Sequence, residues 1–418
     1  MGLISKVCST SGSKLCFFLL AAGPGLIVML ADTDAGSIIT AAESGAVWGY
    51  KLIALQIILI PTLYITQELT LRLGLVTGQG HAELIKKHFG NFWAWVSVTT
   101  LAISCIGALI TELSGIAGVG ALFGVPTWFG MLLTVIFLVW LIFTRSYHSI
   151  ERIALAIGAF ELVYFVVAWQ AHPSWHEIVA NLTSIPINNH SYLYLMAANI
   201  GAVIMPWMIF YQQSAVIDKG LTPKHLGVSR LETAIGAIIT QVIMIAIIIA
   251  IAATIGKYAP GKSLDSVQHI SNAITPFLGN TIGRLLFALG MLGASLVATI
   301  VVSLTAAWSI GELTGFKRSL QDHPADAPWF YGIYFAVIVG GGILVSSNIQ
   351  LVNLNVAIEV MNALLLPIVI TLLYLLAYKI LPEEYRLKGW YAIVVGIILF
   401  TTCIFGVVSG VWGWLGKI

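Results

Sequence analysis

The chain has 418 residues, of which 59% are hydrophobic and only 9% charged, with a net charge of +2. An average soluble domain carries about 25% charged residues, so this composition excludes an ordinary soluble protein. The small net charge gives no electrostatic footprint for nucleic acid.

Hydropathy along the chain predicts eleven membrane spans, near residues 15–47, 50–74, 92–122, 126–144, 150–170, 192–216, 229–256, 278–312, 328–346, 350–380 and 389–413. Each reaches roughly the 20 apolar residues that a bilayer crossing needs. Lys6 and Lys14 precede the first span without a small-residue cleavage site, so a retained first helix is expected.

The first span holds the most informative segment of the chain, Asp32-Thr33-Asp34-Ala35-Gly36-Ser37. An aspartate at the centre of a bilayer costs about 3 kcal/mol even on the milder insertion scales, and persists mainly where it faces a cavity, a partner or an ion. Gly36-Ser37 loosens the helix at the same point. An acidic, breakable stretch at mid-membrane reads as a cation site.

Glu68 and Arg72 stand four residues apart in the second span and are expected to pair. Gly115-Ile116-Ala117-Gly118 in the third predicts close helix packing. Arg145, His148 and Arg152 lie in a basic loop that reads as an orientation signal, and Glu161 and Glu232 as buried, hydrogen-bonded side chains. The sixth span carries Gly201-Ala202-Val203-Ile204-Met205-Pro206-Trp207. A proline there removes a helix hydrogen bond and predicts a second interruption, whose freed carbonyls, including that of Ala202, need partners in a membrane. Interrupted helices at matching places in two halves point to a transporter site between inverted repeats.

Alternating the connections puts fifteen of the 20 basic residues on the side of the N-terminus. The positive-inside rule then predicts a plasma (inner) membrane protein with its N-terminus in the cytoplasm and its C-terminus outside. Asn181-Leu182-Thr183 and Asn189-His190-Ser191 match the short glycosylation pattern on the outer side and carry little weight. Cys8, Cys16, Cys105 and Cys403 lack metal-type spacing and are expected to be free thiols.

At the two interrupted segments the chain resembles the Nramp (natural resistance-associated macrophage protein) family of divalent metal transporters. The likeness runs from Gly23-Pro24-Gly25 through Gly36 to Gly49-Tyr50, then through Arg72-Leu-Gly-Leu-Val-Thr-Gly78, Leu122-Phe-Gly-Val-Pro126 and Ala202-Val-Ile-Met205-Pro206. The resemblance implies an all-α polytopic protein of the LeuT type, with five-helix inverted repeats at 15–170 and 192–380 and an eleventh helix at 389–413, in one domain spanning 1–418. It also implies a metal held by Asp34, by Ser37 (an asparagine in the family), by the Met205 sulfur and by the Ala202 carbonyl.

The departures matter as much. Ala35 replaces the proline of the family's Asp-Pro-Gly-Asn, Trp207 and Gln212 stand where histidines are usual, and Asp32 is an added carboxylate. Aligning on Pro367 puts Glu359 where the family has a metal-facing glutamine. Glu112 matches an acidic position, Gly115 replaces a second acid, and span 328–346 lacks the arginines that pair with those acids.

Unwound backbone brings residues i and i+2 to one side, so Asp32 and Asp34 are expected to converge, with Glu359 as a third negative charge. Such carboxylates do not stay ionised together in low dielectric without cations or protons, and a divalent cation fits. Oxygen ligands suit Mg²⁺, Ca²⁺ and Mn²⁺, whereas Met205 favours softer metals. The expected metal-site residues are therefore Asp34, Ser37, Ala202, Met205, Asp32 and Glu359, with packing beside the kink as the other role open to Met205, a helix-cap role to Asp34, and a cap of the span's second half to Ser37. The expected function is secondary transport of Mg²⁺ or Mn²⁺ by alternating access. The lost histidines, arginines and acid predict passive or altered proton coupling, while Glu112, Asp32 and Glu359 stay open as proton carriers. No resident cofactor or obligate protein partner is implied beyond the transported ion and the bilayer. A same-fold carrier of a cationic or amino-acid-like solute is the alternative. A channel is weighed too; a membrane metal enzyme finds no ligand set such as His-Glu-x-x-His among the scattered histidines.

Overall fold

The computed structural model describes residues 23–144, 147–259, 261–264, 266–347 and 351–416, and is all helical throughout them. The readings made for Lys6, Lys14, Cys8, Cys16 and Arg145 fall outside the described residues. Cys105 and Cys403 are free and buried.

The helices in chain order are α1 (Pro24–Asp32), α2 (Ala35–Trp48), α3 (Ile53–Thr77), α4 (His81–Phe89), α5 (Asn91–Leu122), α6 (Thr127–Ile142), α7 (Tyr147–Gly158), α8 (Val163–Gln170), α9 (Trp175–Leu182), α10 (His190–Val203), α11 (Pro206–Asp218), α12 (Leu226–Ala252), α13 (Ile255–Tyr258), α14 (Val267–Leu278), α15 (Asn280–Thr314), α16 (Pro328–Ser346), α17 (Leu351–Lys379) and α18 (Gly389–Leu415). Among the described residues nine helical segments are long and apolar enough to cross a membrane, or ten with the bent pair α1–α2 taken as one; α6, at 16 residues, is apolar but shorter. Hydropathy alone had not shown the connecting helices α4, α9 and α14, because they are short and amphipathic.

The broken spans are the centre of the molecule. Residues His190–Asp218 are 94% buried over their most apolar stretch, against 33% for Gly389–Leu415 and 28% for Ser149–Gln170. α10 lies between α17 and α18, α5 lies along α15, and α12 lies against α1, α2 and α3. The outer helices turn Trp93, Trp95, Ile136, Trp140, Ile397 and Phe405 outward, as lipid-facing surfaces require.

Long-range polar contacts fix the first span. Glu232 of α12 accepts the backbone N–H groups of Gly23 (2.6 Å) and Leu26 (2.8 Å), so α1 takes its N-terminal cap from a helix more than 200 residues away. That carboxylate also suits the positive end of the helix dipole. Thr240 donates to the Met29 carbonyl at 2.5 Å. Lys219 pairs with Glu151 at 2.7 Å beside Gly23. Glu68 and Arg72 pair as expected, and Arg230 joins them at 2.8 Å, so one buried carboxylate serves two guanidinium groups. Asn189, half of one glycosylation pattern, is the N-cap of α10, with its Oδ1 accepting from Ser191 at 2.9 Å. The Gly115–Gly118 stretch packs closely: a Cβ on Gly115 would lie 2.6 Å from both the Ala35 Cβ and the Ser295 Oγ, and one on Gly118 would lie 2.6 Å from Val267.

Candidate functional site

Both expected interruptions are present, the first at Thr33-Asp34 rather than at Gly36-Ser37, which lie within regular helix, and each has a local cause. α1 ends at Asp32, Thr33 is its C-cap, and Asp34 is extended (φ −73°, ψ 176°) before α2 begins, the two halves meeting at 44°. Asp34 starts α2 because its Oδ1 accepts the Ser37 N–H at 2.7 Å, the bond that N-cap carboxylates make. The expected capping role of Ser37 is thereby corrected: Ser37 lies inside the helix and is the capped residue. Its hydroxyl points across the site and donates to the Ala202 carbonyl at 3.1 Å.

That carbonyl is free for a reason written in the sequence. In a continuous helix it would accept from the N–H of residue 206, and Pro206 has none. α10 ends at Val203, Ile204 and Met205 are non-helical (φ −128°, ψ 87°; φ −92°, ψ 140°), and α11 restarts at Pro206. The Met205 sulfur accepts a hydrogen bond from the Trp207 indole N–H at 3.2 Å, which fixes the thioether beside the break. Asp34, Ser37 and Ala202 thus form one connected unit, with Met205 on the same interruption as Ala202.

Other helices bring further carboxylates. Glu112 of α5 accepts the Ala35 N–H at 3.1 Å with Oε2 and shares a side-chain hydrogen bond with Asp34. Glu359 of α17 accepts from Asn362 at 3.1 Å. Two glycines admit it: a Cβ on Gly36 would overlap the Glu359 carboxylate, and one on Gly201 would overlap its main-chain carbonyl. Asp32 is 1% exposed, and neither of its oxygens has a hydrogen-bond partner. The charged groups acting on it are Asp34, Glu359 and Glu161.

Glu161 is fully buried and hydrogen-bonded to the Thr33 hydroxyl, as expected of a buried carboxylate, and this bond places it at the first-span break. The fifth span breaks into a 3₁₀ turn at Ala159–Leu162, and Glu161 sits in that turn. The only sequence signal was a lone carboxylate in an apolar run. Glu232 is likewise hydrogen-bonded as expected.

The two sixth-span positions where the resemblance would put histidines are filled by groups that do not titrate near neutral pH. Trp207 holds Met205, and Gln212 donates to Thr233 at 3.1 Å. Any side chain at Gly115 would collide with Ala35 and Ser295, so the packing here leaves no room for an acid. α16 contains no basic residue. Among the described residues, no three His, Cys, Asp and Glu side chains converge in a geometry that would hold a metal ion. The expected meeting of Asp32, Asp34 and Glu359 around one ion is therefore not seen in this arrangement, while the set of one carboxylate, one hydroxyl, one carbonyl and one thioether contains only one such side chain and stands apart from that finding.

A family model described as natural resistance-associated macrophage protein-like matches residues 25–411. Among curated proteins, the divalent metal cation transporter MntH of Brucella suis biovar 1 is 26% identical over 307 residues, covering 70% of this chain and 67% of that one. The protein of the same name from Vibrio campbellii is 27% identical, covering 71% of each. Among solved structures, a manganese transporter of Eremococcus coleocola superposes with a TM-score of 0.75 at 19% identity, over 96% of this chain and 88% of that one. Mhp1, a nucleobase-cation-symport-1 family transporter, reaches 0.55 at 14% identity over 95% and 92%. These superpositions carry the fold, which is of the LeuT type.

Proposed function

Since the chain belongs to the natural resistance-associated macrophage protein-like family, we propose that it is a secondary transporter of divalent metal cations, Mg²⁺ or Mn²⁺ first, working by alternating access. The observation that carries this is the unit Asp34–Ser37–Ala202: a buried carboxylate that starts α2, tied through the Ser37 residue it caps to the carbonyl that Pro206 releases. The names of the MntH relatives support the substrate class. The wealth of carboxylate oxygens favours hard ions, and Met205 keeps Mn²⁺ among them. Asp32 and Glu359 add charge around the same point.

Transport is passive or altered in its proton coupling, because Trp207 and Gln212 offer no proton acceptor where the family uses histidine. The N-terminus is cytoplasmic and the C-terminus outside, as the basic residues are distributed. The repeats are 15–170 and 192–380, followed by the helix at 389–413.

The test is uptake of Mg²⁺, Mn²⁺ and Ca²⁺ into proteoliposomes containing an internal pH dye, with Asp34→Ala alongside. Saturable Mg²⁺ or Mn²⁺ flux that the substitution abolishes, without internal acidification, is the expected result. Acidification that follows the metal would overturn the uncoupled part. A folded protein that moves none of the three ions would overturn the whole reading and favour an organic cation.

A further inference from the structure

A second group of buried oxygens lies on the side of the first-span break nearest the fifth span. Asp32 ends α1 there, and the 3₁₀ turn at Ala159–Leu162 brings Glu161 to the same junction. Close backbone approach makes the junction possible. A Cβ on Gly158 would lie 2.9 Å from Leu30, and one on Gly293 of α15 would lie 2.6 Å from the Ile157 carbonyl. Asp32 is 1% exposed and neither of its oxygens has a hydrogen-bond partner, nor has the Ser295 hydroxyl, while Glu161 is fully buried and meets the Thr33 hydroxyl.

Burying one such carboxylate without a counter-charge costs several kcal/mol. Carboxylates held for structure in this chain are matched by two backbone N–H groups or by guanidinium groups, as Glu232 and Glu68 are. Asp32 has no such donor, Glu161 has one hydroxyl, and the charged groups acting on both are other carboxylates. A cation, or water bound to one, would supply what they lack.

We propose that Asp32 and Glu161, with the Thr33 hydroxyl between them, form a second cation subsite next to the one at Asp34, taking a hard divalent ion that keeps part of its water shell. The donors on offer are all oxygen, which suits Mg²⁺ and gives a soft metal nothing to prefer. The Met205 sulfur belongs to the other interruption. The two subsites would therefore differ in softness, the Asp32–Glu161 pair raising affinity for Mg²⁺ in particular. This inference rests on the transport reading above and deepens it.

The experiment measures half-saturating concentrations of Mg²⁺ and Cd²⁺ in proteoliposome uptake, and melting of the purified protein with each metal, for wild type, Glu161→Gln and Asp32→Asn. Both substitutions keep shape and remove charge. Both substitutions should raise the Mg²⁺ value about tenfold, with Mg²⁺-dependent stabilisation lost and melting without metal unchanged or higher, and Glu161→Gln, which lies outside the Asp34 site, should leave Cd²⁺ within about twofold. Equal effects of Glu161→Gln on the two metals, or a lower metal-free melting temperature with unchanged Mg²⁺ affinity, would overturn the subsite. Should the wild type carry no divalent ion, the transport reading fails, and melting alone decides the subsite: a Mg²⁺ shift lost in Glu161→Gln upholds it, and no shift in the wild type overturns it.

Discussion

Gly201→Ala should be far more damaging than Gly36→Ala, although both place a methyl group against Glu359. At Gly201 the new Cβ overlaps the Glu359 carbonyl oxygen and comes within 2.7 Å of the Ala363 nitrogen and 2.9 Å of the Glu359 carbonyl carbon. All three atoms are backbone of α17, so no rotamer change relieves the clash and α10 must move away. At Gly36 the overlapped atom is a Glu359 carboxylate oxygen, and the next neighbour is the Thr111 Cγ2 at 2.8 Å. Those are side chains, and they can turn.

Overpacking of a core contact costs about 1–3 kcal/mol, and the backbone clash belongs at the top of that range. If half of 3 kcal/mol is felt at the unfolding barrier, inactivation at fixed temperature speeds up roughly tenfold. Gly36→Ala should change that rate by less than about twofold, yet swing the Glu359 carboxylate and weaken half-saturation by Mn²⁺. The assay is the half-life of the monodisperse peak in detergent at one temperature, paired with Mn²⁺ uptake. Equal half-lives for Gly201→Ala and wild type would refute the tight α10–α17 contact, and with it the account of how Glu359 is brought to the first span.

Glu68→Gln should cost about 3–5 kcal/mol, because it leaves the buried Arg72 without its counter-charge; a double change to Gln and Met at residues 68 and 72 should recover much of it, as a double-mutant cycle on melting will tell. His81, on the connecting helix α4, is buried against Gln213 at 2.9 Å, and burial lowers its pKa from 6.5 to about 4. The unfolded chain therefore binds the extra proton first, so stability should be full above pH 6.5 and fall as pH drops towards 4, by an order of 3 kcal/mol at most. His81→Gln should flatten melting over that window, and an unchanged pH slope would rule the account out. Met205→Leu, which removes the thioether held by Trp207, should shift competition from Mn²⁺ towards Mg²⁺ by about tenfold; an unaltered ion ratio would leave Met205 a packing residue.

The two interruptions were legible because their causes are local. Asp34 is a strong N-cap and Pro206 lacks an N–H, and each acts on atoms within four residues of itself. The pairing of Glu68 with Arg72 was legible for the same reason. What the sequence hid depends on residues far away. Glu161 reads as one more isolated carboxylate until the fold carries the fifth span against Asp32. Arg230 joins Glu68 across 162 residues. Ser37 was misassigned because Ser and Asp are both good caps, and only the observed boundary of α2 chooses between them. The 3₁₀ turn at Ala159–Leu162 follows no glycine–proline signal, and we have no sequence-level account of it.

The long reach of the first span's contacts sets the timing of synthesis. Glu232, Thr240, Ala202 and Glu359, which satisfy or surround the first span, all lie at least 165 residues downstream of their partners there. At about 5–20 residues per second a ribosome needs on the order of 10–30 s to add that much chain. Throughout that interval the end of α1 stays uncapped, and the two aspartates have only the third and fifth spans of their own protein beside them. The nascent first span is thus a weak substrate for insertion, held by its apolar flanks until the seventh helix arrives. Cells short of insertion factors should lose this protein at that stage, before any of its metal chemistry exists.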